Sequence, residues 1–181
     1  MNFEARLEAV DRLAEARKEL TGRFQVPLVN AGAVFLAAAT EAFVEELYKE
    51  AVELVFPGMT AKEFKAFFAE TAERFHAASI AKTELLYFHL GMELAFKGLS
   101  FSGFTNDFLR SEWKEFLKAR NRVAHGAHQI VSVRELNRWR KMLKGFVPVF
   151  ESRVANLSPQ AAPRTIFGIE SLFATRVARS E

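Results

Sequence analysis

Apolar residues recur three and four positions apart along nearly the whole chain, and that period belongs to the α-helix. Phe3, Leu7, Val10, Leu13 and Leu20 mark one face of a first segment whose other face alternates acids and bases. Val34, Phe35, Ala38, Ala42, Leu47 and Val55 mark a second, expected from about Leu28 to Phe56 and closed by Pro57-Gly58. Thr60 to Glu63 forms a capping-box pattern that opens a third helix, reaching about His76. A fourth is expected from Ser79 to Phe96, with Gly98 closing it and a loop from Leu99 to Thr105. A fifth runs from Asn106 to a stop at Gly126, carrying Leu109, Trp113, Phe116 and Leu117. Ser132 to Glu135 is a second capping box and opens a sixth, to about Asn156. No stretch alternates long enough to be a strand. The expected fold is an all-α antiparallel bundle of five to six helices over residues 1–157, followed by a linker and short amphipathic tail at 158–181.

Composition supports long helices in an ordinary globular chain. Of 181 residues, only nine are glycine and five proline, while half are hydrophobic. Cysteine is absent, which excludes disulfides, thiol nucleophiles and thiolate metal sites. The amino-terminal segment lacks a basic stretch followed by an apolar core. The longest apolar run, Ala31 to Ala39, is too short to cross a bilayer. The expectation is a soluble, cytoplasmic protein without membrane association.

Charge is unevenly placed. Residues 1–100 hold 11 basic and 15 acidic side chains, and residues 101–181 hold 14 and seven. Ten of the basic residues fall within 110–144, Arg122, Arg138 and Arg140 among them. This asymmetry points to a polyanionic partner for the second half, with solvated helix faces as the plainer reading.

Phosphate-binding glycine loops, His-Glu-x-x-His and Gly-x-Ser-x-Gly are all missing. His125 and His128 stand three apart with no Asp or Cys nearby, so no metal or other cofactor is expected. His76 and His89 read as structural. What stands out is Arg120-Asn121-Arg122-Val123-Ala124-His125-Gly126, an Arg and a His separated by four residues where a long apolar helix stops. Arg122 and His128 form a second, overlapping Arg–His pair.

Arg and His together suffice for metal-free cleavage of RNA. The 2′-OH is the built-in nucleophile, an imidazole moves the protons, and a guanidinium stays charged beside the phosphate. Asn121 can bind substrate or fix the imidazole tautomer. On a regular helix, five positions separate Arg120 and His125 by about 140°, so one straight helix does not aim both at one phosphate. Either the helix ends near His125, or two chains combine. Arg120 shares a stripe with Leu109, Trp113 and Phe116, where a charge needs a partner. Glu41, on an otherwise apolar helix with Tyr48 two turns on, is a candidate to pair Arg120 or orient His125.

The helix Val34 to Tyr48 followed by the basic Arg120–His125 segment resembles the HEPN superfamily of helical ribonucleases and nucleic-acid-linked domains, most closely its RiboL-PSP-HEPN branch, over about residues 5–156. The resemblance implies a metal-independent endoribonuclease acting as a homodimer, a toxin or phage-defence effector with a possible antitoxin or inhibitor protein as partner. It places the conserved Arg, Asn and His on Arg120, Asn121 and His125. Relatives without activity imply the alternative, a helical module that binds nucleic acid, nucleotide or a protein.

Overall fold

The structure, a computed structural model, describes residues 3–19, 25–58, 62–73, 75, 78–126 and 131–157. Six helices run in chain order: α1 (Phe3–Glu19), α2 (Gln25–Val55), α3 (Lys62–Glu73), α4 (Ile80–Phe88), α5 (Asn106–Ala124) and α6 (Val133–Ala155). The described residues contain no strand, only an isolated bridge between Phe101 and Phe104. The all-α bundle is what the periodicity predicts. The capping pattern at Thr60, the stop at Gly22, His76, His128 and the 158–181 tail lie outside the described residues.

Helix α2 is the axis on which the others pack, touching α1, α3, α4, α5 and α6. Its buried positions include Ala33, Leu36, Ala37, Thr40, Phe43, Val44, Leu47, Tyr48, Ala51 and Val55. The face thus differs from the expected one, because Phe35 and Ala38 point outward, Phe35 with 56% of its surface exposed. The buried Thr40 hydroxyl is satisfied by donating to the Leu36 carbonyl at 2.8 Å. By length and composition α2 could cross a membrane, but its apolar side is the centre of this core.

Phe146 on α6 gathers the core from distant parts of the chain. Its ring lies 4.7 Å from Trp113, 5.2 Å from Phe96, 4.8 Å from Phe150 and 6.3 Å from Phe43. Buried aromatic rings of this size dominate hydrophobic stabilisation and add edge and stacking contacts. Trp113 also donates its indole N–H to the Ala78 carbonyl at 2.6 Å, fixing the entry to α4.

Helix α4 is shorter than its periodicity suggests. Its N-cap is Ser79, as expected, but it ends at Phe88 rather than Phe96. Gly91 takes φ +86°, a left-handed conformation that costs a side-chain-bearing residue energy and turns the chain away. The turns that follow tuck Phe96 into the aromatic cluster. Asn106 donates to the Phe96 and Leu99 carbonyls at 2.6 and 3.2 Å, and Arg153 donates to those of Ala95 and Lys97 at 2.9 and 2.8 Å. Side chains therefore satisfy backbone acceptors that a longer helix would have paired internally.

Helix α6 opens on the expected capping box. The Ser132 hydroxyl accepts from the Glu135 N–H, and the Glu135 carboxylate accepts from the Ser132 N–H at 2.8 Å. The Ser132 hydroxyl also donates to the Glu135 carboxylate at 2.6 Å, and this bond first, then the one from the Ser132 N–H, holds the Glu135 carboxyl below its ordinary pKa.

Candidate functional site

Helix α5 carries the candidate residues. Thr105 caps its start by accepting from the Phe108 N–H at 3.4 Å. Gly126 stops it, at φ +72° and with its N–H on the Val123 carbonyl at 3.1 Å. His125 is the C-cap and its side chain is exposed. Its backbone N–H still bonds the Asn121 carbonyl at 3.0 Å, so it stands one helical turn beyond Asn121.

Arg120 turns the other way, toward α2. Its guanidinium lies 3.5 Å from the Glu41 carboxylate, and both side chains keep about a quarter of their surface exposed, 27% and 23%. Another of its N–H groups donates to the Asn121 side-chain oxygen at 3.0 Å. Arg120 Nε and Glu41 Oε1 are buried without a hydrogen bond, so the pair is an electrostatic contact rather than a fork-on-fork one. The charge on the apolar stripe thus finds its partner within one chain. Of the two roles open to Glu41, it takes that of Arg120's counter-ion.

Tyr48 does not join them. It is wholly buried two turns along α2, its ring 5.7 Å from Tyr87 and 6.4 Å from Phe68. Burial raises its phenol pKa above the ordinary value. The expectation of a supporting role at the site is corrected: Tyr48 belongs to the core, because two turns further along α2 the same side of the helix meets Tyr87 and Phe68 instead of α5.

Arg138 and Arg140 are likewise corrected as members of one open basic face. Arg138 donates to Glu112 on α5 at 2.7 Å, whereas Arg140 pairs with Asp11 on α1. Two positions apart on a helix, they point to opposite sides and meet different neighbours. Arg122 is exposed on α5. His89 caps α4 at its C-terminus, and partial burial lowers its pKa.

Between α4 and α5 lies a groove of about 740 Å³ that the run of charges along the chain does not reveal. Ile80, Ala81, Trp113 and Leu117 give it an apolar floor. Arg110, Lys114, Lys118 and Arg122 follow one another every fourth residue along its α5 side, and Asn121 lies at the same end as Arg122. The four-residue spacing of these cations was the available signal, since i and i+4 share a helix face. Among the described residues, no three His, Asp or Glu side chains cluster closely enough to hold a metal ion.

Comparison of the chain with protein-family models, with curated proteins and with solved structures gives no match.

Proposed function

We propose that the chain is an endoribonuclease that cleaves RNA through attack of the 2′-OH on the adjacent phosphate, without a metal. The observation that carries this reading is the double tie of Asn121: its side chain accepts from Arg120 and its carbonyl accepts from the N–H of the exposed His125. The Asn121 side chain therefore holds a guanidinium, suited to a phosphate, one helical turn before the residue that carries an exposed imidazole, suited to proton transfer near neutrality; the His125 bond is made by its backbone N–H.

In the reaction, the 2′ oxygen gains a bond to phosphorus as its proton leaves to an imidazole. The bond from phosphorus to the 5′ oxygen breaks, and that oxygen receives a proton. Arg120 faces the charge that grows on the phosphorane oxygens. The products are a 2′,3′-cyclic phosphate and a free 5′-OH. Two imidazoles serve this better than one, and a homodimer would supply the second. The outward Phe35 and the exposed Ala38, which share a side of α2, favour pairing of two copies there.

Incubation of the purified protein with total RNA in EDTA tests the reading. His125→Ala should reduce cleavage by about 10²–10⁴-fold. Because its side chain is exposed, the variant should keep its helical circular dichroism and melting temperature. Cleavage by His125→Ala at the wild-type rate, or its arrest by the chelator, would overturn it.

A further inference from the structure

We propose that the α4–α5 groove is the track for a single strand of RNA, with unpaired bases on the apolar floor and phosphates on the basic rim, leading toward His125. The inference rests on the ribonuclease reading for its direction of travel, and on the groove itself for its occupant.

Three features select that occupant. Among the described residues that line it, the groove has four cations, Arg110, Lys114, Lys118 and Arg122, against one carboxylate, that of Glu84, so its field attracts a polyanion. These cations extend over twelve residues of α5, about 18 Å, which suits consecutive phosphates rather than one isolated anion. The floor of Ile80, Ala81 and Leu117 offers apolar surface that a base-paired duplex cannot reach, because its bases are already stacked inside.

The rim cations differ in availability. Arg110 is held at 3.0 Å by Glu84, which fixes the far end of the track. Lys118 lies 3.6 Å from Glu115, but both are about half exposed and the pair is a weak surface contact that a phosphate can replace. Lys114 and Lys118 are therefore the cations whose removal reads out the groove. At its other end the row reaches Arg122 and Asn121, one turn short of the imidazole.

The test is fluorescence anisotropy with a labelled 2′-O-methyl oligonucleotide, which lacks the nucleophile and stays intact. The intact protein should bind the single strand at least tenfold tighter than the same sequence as a duplex. Lys114→Glu/Lys118→Glu should weaken single-strand binding at least tenfold and flatten its dependence on salt. Lys141→Glu/Lys144→Glu, an equal charge change on exposed positions of α6, should stay within about threefold of wild type. Equal loss from both pairs, equal affinity for the duplex, or no binding by the wild type would each overturn the inference. Cleavage assayed alongside separates the two readings: normal cleavage of RNA by Lys114→Glu/Lys118→Glu removes the track but leaves the ribonuclease. Intact groove binding with no cleavage by the wild type removes the ribonuclease but leaves a single-strand binding groove.

Discussion

Arg120 and Glu41, 79 positions apart in sequence, face each other at 3.5 Å across the junction of α2 and α5. The contact sets the direction of the guanidinium and keeps a charge tolerable on a stripe whose other members, Leu109, Trp113 and Phe116, are fully buried. Glu41→Gln should lower stability by about 1 kcal/mol, the upper end for a partly solvated pair. Urea denaturation of Glu41→Gln, Arg120→Ala and the double variant gives the coupling directly. A coupling near zero would mean that the two charges merely share a neighbourhood.

The outward Phe35 gives a test of assembly. Phe35→Glu should leave the fold intact, since the side chain is exposed, and shift the protein toward monomer in sedimentation at micromolar concentration. If two copies together make the catalytic cleft, RNA cleavage should fall in step with the dimer fraction.

Ser132→Ala should cost about 1 kcal/mol through loss of the α6 cap. It should also change the acid response. The folded-state pKa of Glu135 is lowered, so its contribution is complete above the unfolded carboxylate pKa and is lost as pH falls through the folded value. The gap in stability between wild type and Ser132→Ala should therefore be widest near neutrality and narrow in acid. Thermal melts at a series of pH values would show it.

Trp113→Phe removes the indole N–H, leaves the Ala78 carbonyl without its donor and opens space beside Phe146 and Phe96. A loss of about 2–3 kcal/mol is expected, from the orphaned acceptor and the smaller ring together. In a chain of this size each kcal/mol lowers the melting temperature by roughly 2–4 °C. Calorimetry that finds the variant as stable as the wild type would contradict this account of the core.

The bundle was legible because its signals are local. Helical spacing, the cap at Ser132 and the stop at Gly126 are each written within a few residues. Helix α4 was overrun because Leu90, Met92, Ala95 and Phe96 continue a helical spacing, while one glycine at positive φ breaks the backbone beneath them. At the site, the pairing of Arg120 with Glu41 was one of two options that an acid on an apolar helix leaves open. The fates of Arg138 and Arg140 were hidden, because their acids lie 26 and 129 positions away and adding charges along a window cannot find them. Tyr48 shows the limit of face arithmetic: seven residues return nearly to the same direction, yet the neighbours change from α5 to Tyr87 and Phe68.

The central place of α2 also sets a problem of timing for the cell. Phe43 meets Phe146 and Phe150 only after about a hundred further residues have been made. At ordinary rates of translation, that leaves the side of α2 that meets α6 uncovered for about 5–20 s. During that interval only α1 and the helices between can lie against α2, and the apolar surface reserved for α6 is open to chaperones.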